Sequence, residues 1–177
     1  MKSGVSEKIL DVASELIAER GVYGMSFGDI ALKVGVSKGT LNYYYPSKQE
    51  LVEAAAARAT KKISDNLLAW VDSVKANESP DAPTGRLCDA MLCGTSFRVF
   101  IETNEIVKPD TKLEELLDSA MGEWNVMIEV GAMRMRPDAA MRMKNMSAAV
   151  LPFIAGLSAL NADADYAREA FVALILG

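Results

Sequence analysis

Residues 26–51 read Ser26-Phe-Gly-Asp-Ile-Ala-Leu-Lys-Val-Gly-Val-Ser-Lys-Gly-Thr-Leu-Asn-Tyr-Tyr-Tyr-Pro-Ser-Lys-Gln-Glu-Leu51. Ile30, Ala31 and Val34 recur at helical spacing and give a first short helix its inward face. Gly35 follows the last of them, where glycine cheaply adopts the left-handed backbone that ends a helix. Ser26 caps this helix, with Asp29 as its reciprocal partner. Val36 plugs the gap to a second short helix, which Ser37 caps, Leu41 anchors inward and Pro46 stops. Ser47-Lys48-Gln49-Glu50 is a capping box that opens a long helix. Helices this short are not stable alone, so their neighbours must hold them rigid. Lys38, Thr40, Asn42, Tyr43 and Tyr44 are left facing outward or sideways. A rigid short helix with a polar open face suits the major groove of DNA.

Each of these residues also has a structural use. Ser26, Ser37 and Ser47 are caps first, with phosphate contact as a second use, and Tyr45 is expected in the core. Gly39 costs roughly 1 kcal/mol against alanine inside a helix, a cost accepted where the backbone must approach something closely, such as a phosphate. Lys48 falls in the first turn of the long helix, where a helix end already favours anions. Asn42 can pair with both N6 and N7 of adenine, or serve as an ordinary surface amide. Gly28 cannot reach a base.

An ordered set of residues carries a family resemblance: the helix Ile9 to Glu19, Gly21, Ser26, Ile30-Ala31, Gly35-Val36-Ser37, Gly39-Thr40-Leu41, Tyr43-Tyr44, Lys48 and Leu51. On these, residues 6–62 resemble the DNA-binding domain of the tetracycline-repressor (TetR) family of bacterial regulators. The likeness covers about a third of the chain, and the remainder is similar only in its all-helical character. Two positions depart from the family pattern. Asn42 stands where an aromatic residue is frequent, and Gly28 where some members carry a longer polar side chain. The resemblance implies an all-α fold. Residues 1–50, supported by the start of a helix over 47–75, would form a three-helix helix-turn-helix domain, and 51–177 a helical effector-binding and dimerisation domain. The implied DNA contacts are Ser26, Ser37, Lys38, Gly39, Thr40, Asn42, Tyr43, Tyr44 and Lys48.

The charge distribution agrees with such a division. The chain has 177 residues and a net charge of −5. Residues 1–62 hold nine Lys/Arg against seven Asp/Glu, whereas 63–177 hold ten against seventeen. An acidic body is repelled from DNA everywhere except at its mildly basic head. With so little positive charge on one head, tight binding requires two, and it should weaken steeply with salt. No run of about 20 apolar residues occurs, so no membrane span is expected. No apolar leader is apparent either, and a cytoplasmic location follows as an expectation. Cys88 and Cys93 lack metal or redox spacing and read as small buried hydrophobes. The chain contains no histidine, which removes histidine-based triads, general bases and metal sites. Neither catalysis, a metal nor a cofactor is expected.

Beyond the head every segment reads as helix. Glu7 to Glu19 buries Ile9, Ala13, Leu16 and Ile17. The long helix runs from Lys48 to about Lys75, roughly 40 Å at 1.5 Å per residue. A polar loop is expected over 77–83, then a helix from Thr84 to about Glu102. Thr111 to Glu114 caps a segment reaching Met135 with a possible break near Gly122. A helix over Asp138 to Leu160 and a terminal helix complete the chain. These last two are rich in apolar stripes, one for the domain's own core and one for a partner. Met143, Met146, Val150, Phe153, Leu157, Phe171 and Leu174 are the candidate contacts of a two-fold dimer built as a four-helix bundle. A monomer with both stripes internal is the alternative.

The expected function is a sequence-specific transcriptional regulator, a repressor binding a near-palindromic double-stranded operator and released by a small, largely apolar effector. Trp70, Met91, Phe97, Arg98, Trp124 and Met127 are candidate pocket residues, methionine and aromatics suiting an adaptable apolar site. A plain core is the competing reading for each. A DNA-binding regulator without an effector, or one controlled by a protein partner, is the alternative function.

Overall fold

The computed structural model describes residues 2–76, 78–92, 94–109, 111–135, 146–159 and 163–176. Every regular element among them is a helix. In chain order these are α1 (Lys2–Gly24), α2 (Phe27–Val34), α3 (Lys38–Tyr44), α4 (Lys48–Ser73), α5 (Asp81–Met91), α6 (Ser96–Asn104), α7 (Lys112–Met135), α8 (Met146–Ala159) and α9 (Ala164–Leu176).

In α1, Ile9, Ala13, Leu16 and Ile17 are fully buried, as helical spacing requires of a core-facing stripe. The helix continues past Glu19 by kinking at Gly21, whose φ of 70° lies in the left-handed region. α4 is the central strut. Leu51, Ala55, Ile63 and Leu67 along it are fully buried. It packs on α1 near its start and on α5, α6 and α7 further along. Its 26 residues span about 39 Å. No helix among the described residues is long and apolar enough to cross a membrane.

The segment expected as one helix from Thr84 to Glu102 is two. α5 begins earlier, at Asp81, because Pro83 sits in its first turn, where no backbone N–H is needed. It ends at Met91, and Gly94, with φ 55°, turns the chain into α6. The break considered near Gly122 does not occur, and α7 is continuous from Lys112 to Met135. Of the helix expected over 138–160, residues 138–145 and 160 lie outside the described residues, as does Cys93.

Three of the seven expected dimer contacts need correction. Val150, Leu157 and Phe171 are buried within a single chain, and Phe153, half-buried, stacks at 6.0 Å on Phe171. The physical reason is that α8 must cover α6 and α7, while α9 packs against α5, and these apolar side chains do the covering. Ala149, Pro152 and Gly156 on α8 and Ala173 on α9 face outward instead. Met143 and the side chains of Met146 and Leu174 lie outside the described set.

Candidate nucleic-acid interface

The head is assembled from three caps in succession. Ser26 Oγ accepts from the Asp29 amide at 3.2 Å and donates to the Asp29 carboxylate at 2.7 Å. Gly35 ends α2 with φ 78° and ψ 34°, its amide and that of Val36 both donating to the Ala31 carbonyl. Ser37 Oγ accepts from the Thr40 amide at 3.0 Å and lies 2.9 Å from Thr40 Oγ1. The amide of Tyr45 closes α3 on the Leu41 carbonyl. Ser47 Oγ accepts from the Glu50 amide at 3.1 Å and donates to the Glu50 carboxylate at 3.2 Å. Each cap of this kind stabilises its helix by about 1 kcal/mol.

This frame orients α3. Leu41 is fully buried and pins the helix to the head, against Ile30 and Ala31 of the same core. Ser37, Lys38, Gly39, Thr40, Asn42 and Tyr43 are exposed, as is Ser26 at the start of α2. Tyr44 is half-buried and meets Tyr43 edge-on at 5.4 Å. Tyr45 lies in the core, with its hydroxyl 3.0 Å from Ser6 Oγ. The open face therefore carries an ammonium, two hydroxyls, an amide and a phenol. That set can hydrogen-bond base edges and phosphates together.

Two features were not anticipated from the sequence. Lys38 of α3 lies against Gly28 on α2, its Cε at an ordinary contact distance of 3.5 Å from where a Cβ at position 28 would stand. The second concerns Lys48. Its ammonium, half-buried, donates to the Met25 carbonyl at 2.7 Å, tying the start of α4 to the elbow between α1 and α2. Three N–H donors are available to a lysine, so two remain.

The candidate pocket residues of the body are mostly packed. Trp70, Met91, Phe97 and Trp124 are at most 3% exposed. The Trp70 indole N–H donates to the Pro83 carbonyl and the Trp124 indole N–H to Ser64 Oγ. Trp124 also meets Phe100 edge-on at 4.8 Å. Met127 is half-buried on α7. Arg98 is a structural tie rather than a free cation: its guanidinium donates to the carbonyls of Ala18 on α1 and Ser158 on α8. A cleft of about 400 Å³ opens elsewhere, between the head and the body, with Val22, Lys48 and Val52 on one side and Ile106, Lys108 and Leu113 on the other. No group of three or more potential metal ligands occurs among the described residues.

Comparison with known proteins places this geometry in context. The family model described as bacterial regulatory proteins, tetR family, matches residues 9–55. The HTH-type transcriptional regulator YvdT of Bacillus subtilis (strain 168) is 34% identical over 128 residues, covering 72% of this chain and 61% of YvdT. The HTH-type transcriptional repressor KstR2 of Rhodococcus jostii (strain RHA1) is 38% identical over 52 residues, 29% of this chain and 26% of KstR2. The chain thus spans less than two thirds of the length of either relative. Among solved structures, a transcriptional regulator from Saccharomonospora viridis in complex with choline superimposes with a TM-score of 0.81 at 22% identity, over 98% of this chain and 96% of that one. A regulator from Aquifex aeolicus VF5 gives 0.71 at 19% identity, over 97% of each chain. At such identities the structural matches establish the fold.

Proposed function

We infer that this chain, which belongs to the tetR family of bacterial regulatory proteins through its residues 9–55, is a sequence-specific DNA-binding transcriptional regulator. The observation that carries the reading is the division of α3. Leu41 is sealed in the head while Lys38, Thr40, Asn42 and Tyr43 are exposed to solvent. A helix held rigidly by one apolar anchor and polar everywhere else is a probe for a groove. Lys38 and the hydroxyls of Ser26, Ser37 and Thr40 contact phosphates, and Asn42 reads a base. Tyr43 and Tyr44 bracket the backbone, and Gly39 lets a phosphate approach α3.

Residues 1–50 form the DNA-binding unit and 51–177 the regulatory one. The protein acts as a homodimer on a near-palindromic operator, because one head with little net charge binds DNA weakly. The exposed small residues Ala149, Pro152, Gly156 and Ala173 on α8 and α9 allow a second copy to pack closely. The two α3 helices then lie about 34–36 Å apart, one turn of DNA. A small-molecule effector relieves repression by tilting α4, which runs from the head into the body. The Saccharomonospora viridis regulator of similar fold, solved with choline, supports control by a small ligand. The setting for such a protein is the cytoplasm.

Protection of genomic DNA fragments at two salt concentrations tests the reading. A two-fold symmetric footprint is expected, with a Kd that rises by about tenfold or more for each doubling or tripling of salt. Protection independent of sequence, or absent at low salt, would overturn it.

A further inference from the structure

The cleft between head and body has the makings of a ligand site. Its apolar lining is Val22 of α1 and Val52 near the start of α4 on one side and Ile106 and Leu113 on the other, and three of these are buried. Its volume of about 400 Å³ falls in the range of small-molecule pockets, roughly 300–1,000 Å³. The polar groups are unequal in what they have left to give. Glu53, the cleft's carboxylate, already accepts from Gln49 Nε2 at 3.0 Å. Thr111 Oγ1 donates to the Lys108 carbonyl at 2.7 Å and accepts from the Glu114 amide at 3.3 Å. Lys48 gives one N–H to Met25 and keeps two. The Lys108 ammonium is exposed and has no ion pair among the described residues. Two ammonium groups, Lys48 and Lys108, stand against the single carboxylate of Glu53, so the lining is net positive beside an apolar wall.

We propose that this junction binds a small amphipathic carboxylate, with its hydrocarbon against Val22, Val52, Ile106 and Leu113 and its anionic end reaching Lys48 and Lys108. Such a ligand touches head and body at once. Its carboxylate draws the Lys48 ammonium toward the cleft and away from the Met25 carbonyl, one residue before the cap that starts α2. Occupancy thereby loosens the elbow that sets the angle of α2 and α3. The site stands on the cleft itself, whereas its effect on an operator rests on the regulator reading above.

Calorimetric titration of the full chain with decanoate, decan-1-ol, decylamine and choline tests the site without DNA. Decanoate should bind saturably, and each of the other three at least about tenfold more weakly, the difference made by the pairing of its carboxylate with two ammonium groups. Lys108→Glu, at an exposed position, should weaken decanoate by about tenfold, since it replaces attraction by repulsion. Ile106→Trp should fill the cleft and abolish binding, with the fold checked by circular dichroism. No saturable decanoate binding, equal binding of the alcohol or of either cation, or an unchanged Lys108→Glu titration would each overturn the proposal. Where the untreated protein protects an operator, decanoate should change that affinity by about fivefold or more. Calorimetric binding with no such change overturns the coupling, and a protein that binds decanoate but no DNA sinks the regulator reading instead.

Discussion

Trp70 on α4 occupies the space that a side chain at position 131 on α7 would need. A Cβ added to Gly131 would collide with Cζ3 and Cη2 of the Trp70 indole. The ring has nowhere to retreat, because it is 3% exposed and its N–H is held by the Pro83 carbonyl at 2.7 Å. Gly131→Ala should therefore destabilise the protein by about 1–3 kcal/mol, although alanine is the better helix former. Urea melts of the two proteins measure this directly. A variant as stable as the original would mean that α4 and α7 are not packed this closely.

Arg98 is the second long-range tie. Its Nε donates to the Ala18 carbonyl at 3.3 Å and its Nη1 to the Ser158 carbonyl at 2.8 Å, so one side chain on α6 binds α1 and α8. Arg98→Ala should cost about 1.5–3 kcal/mol in global stability, the scale for hydrogen bonds to a charged group. Arg98→Lys should recover only part of this, since an ammonium lacks the planar fork that spans two carbonyls. Thermal melts of the three proteins should rank in that order.

The head was legible in the sequence because its signals are local. Ser26, Ser37 and Ser47 cap within three residues of themselves, and Gly35 turns the chain by its own backbone freedom. The body was less so. Whether Trp70 and Trp124 line a pocket or fill a core depends on what α5, α6 and α7 bring against them, and periodicity does not encode that. The same holds for Val150, Leu157 and Phe171, whose apolar stripe serves a partner helix equally well whether that helix is in the same chain or another. The split at Leu92–Thr95 had one visible sign, Gly94 inside an otherwise helical run. The approach of Lys38 to Gly28 joins residues in two helices, so no local signal marks it.

Asn42 and Lys38 should fail differently. Asn42→Ala should relax preference at one base pair by about 1–3 kcal/mol while leaving binding to other variants of the site similar. Lys38→Ala should weaken all sequences alike and lower the salt slope by about one. Binding measured against a set of single-base operator variants at two salt concentrations separates the two patterns. Equal loss on every variant for Asn42→Ala would assign that side chain to the backbone.

Cys88 should give the protein a pH-sensitive step on the alkaline side. Burial, helped by the charge of Asp89, pushes its thiol from 9.0 up to about 11. The folded chain therefore keeps a proton that the unfolded chain has lost between those values. The associated stability is fully present below pH 9 and falls as pH rises toward 11. In a Cys93→Ser background, urea midpoints at pH 8 and pH 10.5 should differ more than they do when Cys88→Ala is added. An equal difference in both would place the thiol in contact with water.

Gly39 sets stability and DNA binding against each other at a single atom. It lies inside α3, exposed, and a Cβ there would meet only Ser37 Oγ, at an ordinary 3.6 Å. Gly39→Ala is therefore accommodated by the free protein and should stabilise it by about 0.4–1 kcal/mol, through helix propensity and a less flexible unfolded chain. The added methyl stands on the face that carries Lys38, Thr40 and Asn42. If a phosphate approaches the backbone there, the methyl must push it away, and operator affinity should fall by tenfold or more while the melting temperature rises. A variant that gains stability and keeps full affinity would show that the DNA backbone passes elsewhere, and Gly39 would then be a residue without a role in contact.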